Sequence, residues 1–243
     1  MKINMFTKNI TNMWVLVLFT VLVGLAMAQN DPYQKLSDHW FNKCFNQTHD
    51  INNFDKLYAD GVEFKRYLKY AFKFIPEGEK VFCDRERFIL ENRMKEFAKD
   101  LKPCLAQQEK FLEDFLNRSF KELLHFLCHN DGEHIKTFYS SKAAECRTKL
   151  SNTNYPNLDN CFAKIINPTS RVLMKKDICS DLGIVKKCFA EALEFQCPSF
   201  GSYKKLNEDF FSYVSKPCSG CVFNINSLLF AASLLISLMF SRK

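Results

Sequence analysis

Glycine and proline are scarce, with 7 of each in 243 residues. That excludes collagen-like and linker-like composition. No stretch alternates apolar and polar residues as a half-buried strand would. There is no internal repeat and no low-complexity segment. The HExxH, GxSxG, P-loop and dinucleotide-binding fingerprints are also missing, so no catalytic motif supports an enzyme. What remains is a chain that is 47% hydrophobic and 25% charged, rich in cysteine (11) and phenylalanine (25). This composition buries a core rather than staying disordered.

The two ends read as sorting segments. Lys2 and Lys8 precede an apolar run from Met13 to Leu25, and Ala26-Met27-Ala28 supplies the small residues of a signal-peptidase site. Residues 1–28 therefore read as a signal peptide cut after Ala28. At the other end, Val222 to Phe240 is a 19-residue hydrophobic run followed by Arg242 and Lys243. Such a run is long enough to cross a bilayer, with the basic end on the cytoplasmic side. It also fits a GPI-attachment signal with Ser219-Gly220-Cys221 as the small site residues and Ser219 as the attachment point. Cysteine parity leans to the lipid anchor. Ten cysteines lie at 44, 83, 104, 128, 146, 161, 179, 188, 197 and 218, and cleavage after Ser219 removes the odd Cys221. Without Lys2, Lys8, Arg242 and Lys243 the net charge falls from +7 to +3, too mild and too evenly spread for a nucleic-acid surface.

Residues 29–218 read as one all-α extracellular domain, a disulfide-stapled bundle of about six to eight helices. Asp31-Pro32-Tyr33-Gln34 combines an N-cap carboxylate with proline at the first helical position, so a helix starts there. Further helices are expected over about 53–74, 84–99, 104–129, 133–149, 157–166, 179–196 and 202–215. The fourth of the whole set is the clearest. Leu112, Phe115, Leu116, Phe120, Leu123, Leu124 and Leu127 form one apolar face, and Asn130-Asp131-Gly132 stops it. Twenty phenylalanines lie in the secreted body. At helical spacing beside Leu and Cys they are expected to be core, with a ligand cavity as the competing reading.

Ten cysteines point to five bridges in an oxidising compartment, with 945 pairings open to them. Asn46 and Asn117 head N-glycosylation sequons. Asn117 falls on the polar stripe of the fourth helix, so a glycan there is expected to point away from the core. His125, His129 and His134 with Cys128 are the best metal candidates, and they fall short of a zinc site because a secreted Cys128 is better used in a bridge. No metal and no cofactor are expected. The Cys218-Ser-Gly-Cys221 pattern lacks the strand-helix context of a redox motif.

From about Cys83 to Cys218 the chain resembles the insect 27 kDa hemolymph glycoprotein family. The resemblance is carried by Leu101-Lys102-Pro103-Cys104 with Gln108-Glu109 (PCL-x-x-QE). It continues through Leu127-Cys128-His129, Asp131-Gly132-Glu133-His134-Ile135 and Phe138 (FLC-x-x-DG-x-x-I-x-x-F). It extends through Glu145-Cys146, Asn160-Cys161, Cys179-Ser180-Asp181, Cys188, Cys197 and Pro217-Cys218. Residues 29–82 match more weakly, mainly through Cys44. The resemblance implies a secreted, glycosylated, helical, disulfide-bonded protein of insect body fluids, and no activity. The apolar tail after Cys218 departs from the soluble pattern of that family and favours display at a cell surface.

The sequence thus supports a secreted or surface-tethered glycoprotein acting as a non-catalytic recognition module for an extracellular protein or glycan. The alternative is a carrier of a small hydrophobic ligand between Phe-rich helices. An extracellular enzyme comes third. A Phe-lined cavity above roughly 300 Å3 would favour the carrier. An exposed apolar patch would favour protein binding. A cleft with perturbed acids would revive the enzyme.

Overall fold

The computed structural model describes residues 31–75, 78–152 and 172–219. Both terminal hydrophobic runs, the helix expected over 157–166 and Cys161 lie outside the described residues. Eight helices are traced: α1 (Asp31–Thr48), α2 (Ile51–Ala71), α3 (Arg87–Leu101), α4 (Phe111–Leu127), α5 (Glu133–Tyr139), α6 (Ser141–Asn152), α7 (Lys175–Gln196) and α8 (Gly201–Val214). Among the described residues there is no strand. The fold is an all-α, disulfide-stapled bundle.

Local chemistry sets the helix ends. Asp50 caps α2, its carboxylate accepting from the Asn52 amide at 2.9 Å, so α2 starts two residues before the periodicity indicated. α2 tightens at its end into a 3-10 turn over Phe72–Phe74. After α4, Asn130, Asp131 and Gly132 all take positive φ (45°, 53° and 76°), the left-handed turn that the Asn-Asp-Gly triplet foretells. The single helix expected over 133–149 is two. Ser140 takes an extended ψ of 153°, and its hydroxyl accepts from the Ala143 amide at 3.2 Å, so one helix ends and another is capped there.

Two further corrections come from irregular turns. α3 is entered through a short helical turn, Glu79–Val81, and a π-helical turn, Phe82–Glu86. The buried positions Phe82, Glu86, Leu90 and Met94 recur every four residues, slower than the 3.6 of an α-helix. The wider turn absorbs the lag and keeps all of them on the inner face. The fourth helix was expected from 104 and begins only at Phe111. The chain between is two 3-10 turns, Lys102–Cys104 and Gln107–Glu109, separated by extended Leu105 and Ala106.

That break buries an acid. Glu109 is fully buried and ion-pairs with Lys43 of α1. Its carboxylate also accepts from the Ala106 amide (3.1 Å) and from the Leu173 amide ahead of α7 (2.8 Å). One side chain therefore joins the first helix, the central turn and the C-terminal half.

The core runs through α2, α3 and α4. The Phe64 ring lies 6.4 Å from Phe97 and meets Phe120 edge-on at 5.5 Å. Gly61 makes room for this trio, since a Cβ there would lie 3.3 Å from the Phe97 ring. The α4 face is buried as its spacing indicates, apart from half-exposed Leu127. α8 packs on α4 and α7, and α5 bridges α8 and α6.

Four bridges are defined: Cys44–Cys104, Cys83–Cys128, Cys146–Cys197 and Cys179–Cys218. Cys188 is also disulfide-bonded. The four span 39 to 60 residues. In the chain-entropy view each destabilises the unfolded chain by about 4 kcal/mol, without simple additivity. Two of them end in the same device. Lys102-Pro103-Cys104 and Lys216-Pro217-Cys218 are both 3-10 turns closing a helix, and each delivers its cysteine to a bridge. Such bridges match an extracellular or secreted protein.

Replacing Glu109 by alanine strands the Lys43 ammonium and two part-buried amides. Glu109→Ala is expected to lower unfolding free energy by about 3–5 kcal/mol, read by denaturant titration under non-reducing conditions. A loss below about 1 kcal/mol would show that the carboxylate is not a structural hub.

Candidate functional site

A concavity lies between α4, α5, α7 and α8, with the turn after α2 on one side. It is a cavity of about 90 Å3. Phe72 and Ile75 close one side, and Leu123, Phe126 and Leu127 come from α4. His134, Ile135, Phe138 and Tyr139 come from α5, Leu193 from α7, and Tyr203, Leu206, Asn207 and Phe210 from α8. Leu127, Phe138 and Tyr139 are half-buried and form the rim. The volume is below the ~300 Å3 at which pockets for drug-sized ligands begin. It suits a single ring or a short branched chain.

The walls follow from sequence spacing. Tyr203, Leu206, Asn207 and Phe210 fall at i, i+3, i+4 and i+7, one stripe of α8. Phe126, Leu127, Ile135 and Phe138 are the apolar members of the FLC-x-x-DG-x-x-I-x-x-F string, brought together by the left-handed Asn130-Asp131-Gly132 turn. The Cys83–Cys128 bridge pins the end of α4 beside them.

Two polar side chains interrupt the apolar lining. His134 is 9% exposed. It stacks on Phe126 at 4.2 Å, and its Nδ1 lies 2.7 Å from the Phe126 carbonyl oxygen, to which it donates. Its Nε2 lies 3.6 Å from Asp209, which Lys205 also holds at 3.0 Å. Asn207 is 5% exposed, and its Oδ1 has no hydrogen-bond partner among the described residues. Its position was the missed signal, a carboxamide standing at an apolar register of α8.

The histidines singled out in the sequence do not converge on a metal. Cys128 is committed to Cys83. His129 is exposed, with its Nδ1 3.2 Å from the Tyr213 hydroxyl, and stacks on His134 at 5.2 Å. Among the described residues, no group of three or more His, Cys, Asp and Glu could hold a metal ion. Cys218 is bridged to Cys179, so the CxxC pattern is no free dithiol. No helix among the described residues is long and apolar enough to cross a membrane.

The sequons differ. Asn46 is exposed near the end of α1, where Thr48 donates to the Cys44 carbonyl. Asn117 does not stand on the open stripe its register indicates. It is half-buried with a shielded Oδ1, and Ser119 of the same sequon is buried against the core. Ser119 adjoins Phe120 on the inner side of α4, so this sequon straddles the two faces. Ser219 is exposed at the last described position.

A second polar cluster lies away from the cavity, on the outer seam of α2 and α3. Asp60 and Asp100 share a hydrogen bond, and Lys56 donates to Asp100 at 2.5 Å. The bond to Asp100, then burial, push the Asp60 carboxyl up from 3.8 to about 6. Burial opposes ionisation of Asp100, yet hydrogen bonds from Asp60 and Lys56 hold its carboxyl below the usual value. Nearby, burial raises Tyr67 to about 12, helped by its hydrogen bond to Glu86 at 2.5 Å. Sequence periodicity did not single out these acids, because two like charges become neighbours only when α2 packs on α3.

Helical architecture and bridges together define a disulfide-stapled all-α domain of the kind found in extracellular or secreted proteins. A family described as "Protein of unknown function (DUF1397)" matches residues 28–221, and the chain belongs to it. No curated protein and no solved structure matches the chain.

The carboxylate pair makes a pH prediction. Asp60 binds its proton more tightly folded than unfolded. Its contribution to stability is complete below pH ~3.8 and is lost as pH rises through about 6. Asp100 acts in the opposite sense, and only as pH falls through the acid range. Wild type is therefore expected to lose stability from pH 5 to 7.5 relative to Asp60→Asn, as read by unfolding midpoints at both pH values. Parallel midpoints would show that the two acids do not share a proton.

Proposed function

We propose that this protein is a non-catalytic extracellular binding module that holds a small apolar ligand in the cavity between α4, α5, α7 and α8. The observation that carries the reading is the lining: aromatic and aliphatic side chains from four helices, with two buried polar groups among them. Cofactor-free small-molecule sites have this composition. The volume falls short of the ~300 Å3 that would favour a carrier of larger hydrophobic molecules, so the ligand is limited to ring size. The perturbed acids sit on the outer seam and not in the cavity, which favours binding over acid-base catalysis. The bridges support an extracellular setting, and so does the resemblance to insect 27 kDa hemolymph glycoproteins.

A second reading, recognition of a protein or glycan partner, is favoured by exposed apolar residues on one face of α2. Ile51, Tyr58 and Val62 recur at helical spacing there, next to exposed Phe45 of α1. The C-terminal run supports tethering, with Ser219 as the lipid attachment point and the secreted body, cut after Ala28, facing outward.

Native mass spectrometry of the protein secreted from eukaryotic cells tests the ligand. One discrete small species lost on denaturation is expected, and Leu206→Phe, which fills the cavity, is expected to abolish it. A folded, fully bridged protein that carries nothing and takes up no small apolar compound would end the cavity reading in favour of the outer face. Phosphatidylinositol-specific phospholipase is expected to release the protein from intact cells. Full retention on the membrane would replace the lipid anchor by a transmembrane helix.

A further inference from the structure

The apolar lining says little about which ring-sized ligand is taken. The polar groups say more. His134 donates from Nδ1 to the Phe126 carbonyl oxygen, and its Nε2 stands 3.6 Å from Asp209. Asn207 is different. It lies on the cavity-facing stripe of α8, is 95% buried, and its Oδ1 accepts no hydrogen bond among the described residues. A buried acceptor left unpaired costs free energy, and native folds keep few of them. A lone buried acceptor on a side chain that lines a small apolar cavity is the arrangement expected where the missing donor arrives with the ligand.

We infer that Asn207 is the specificity-determining residue of the cavity and that the ligand is a small neutral molecule, a single ring or short branched chain carrying one hydroxyl or N–H donor. This rests on the cavity reading proposed above. The cavity of about 90 Å3 sets the size. The apolar wall disfavours an ionised ligand, since no Lys, Arg, Asp or Glu lines the cavity and a buried unpaired charge is expensive. The Oδ1 acceptor selects a donor over its ether or hydrocarbon analogue. Sites built to satisfy a ligand's hydrogen bond discriminate against analogues that lack it, because the protein group is then left unpaired.

Fluorine NMR titration of the full-length protein in detergent, with 4-fluorophenol, 4-fluoroanisole and fluorobenzene, tests this. The Asn207→Leu variant in the same detergent carries the same background of probe partitioning. It exchanges an unpaired polar group for an apolar one of similar size, so folding is retained, as checked by the thermal midpoint. Wild type is expected to bind 4-fluorophenol about tenfold more tightly than either analogue. In Asn207→Leu the preference is expected to collapse to about one, with fluorobenzene affinity kept. Equal affinities in wild type, or a phenol preference that survives in Asn207→Leu, would overturn the assignment of Asn207 while leaving the cavity reading intact. Failure of all three probes to bind wild type would overturn both.

Discussion

The fold turns on a buried carboxylate. Glu109 sits where α1, the turn between α3 and α4, and the approach to α7 meet, and it gives each an electrostatic or hydrogen-bond partner. Burying a charge is unfavourable unless it is fully paired. Ammonium and two amides supply that pairing, and they do so only when three distant parts of the chain are in register. The group therefore acts as a test of correct assembly more than as a source of net stability. Its neighbour Cys104, five residues earlier, fixes the same turn covalently to α1 through Cys44.

The bridges divide the work. Cys44–Cys104 ties α1 to the turn after α3 and Cys83–Cys128 ties the entry of α3 to the end of α4, while Cys146–Cys197 and Cys179–Cys218 tie α6, α7 and the final turn. The cavity lies across the boundary, with α4 contributed by the first group and α7 by the second. α8 and α5 complete it. Each wall is thus rigid within itself, and the cavity is shaped where two stapled halves pack. The string that carries the family resemblance in this region, FLC-x-x-DG-x-x-I-x-x-F, provides a bridging cysteine, a left-handed turn and five lining residues in 13 positions.

The helical class and most helices were legible in periodicity alone. The α4 face, the Asn130-Asp131-Gly132 stop and the α7–α8 pair follow from apolar spacing and turn chemistry, which are local. The misses share a different cause. The Gln107–Glu109 turn and the π turn at Phe82–Glu86 replace good helical continuations because a tertiary partner rewards the departure, whereas the break at Ser140 is a local cap that helical periodicity does not register. Bridge pairing and the Asp60–Asp100 contact depend on helices meeting, which no spacing encodes. Asn207 was legible in principle, as a polar residue at an apolar register, yet became informative only once a cavity stood beside it.

The wide turn at the start of α3 makes chain length itself a constraint. Four buried positions from Phe82 to Met94 stay in line because one surplus residue is looped into the helix there. Deleting one residue within Phe82–Glu86 would remove the surplus and leave an ordinary α-helix with its flanks in line, but adding one would turn everything upstream by about 100°, the angle one residue occupies in a 3.6-residue turn. Cys83 would swing away from Cys128, and Phe82 would face water. Substitutions in this stretch are a matter of size and polarity, but an insertion would break the alignment of a covalent link with a packed face. The segment behaves as a ruler, fixed in count before it is fixed in composition.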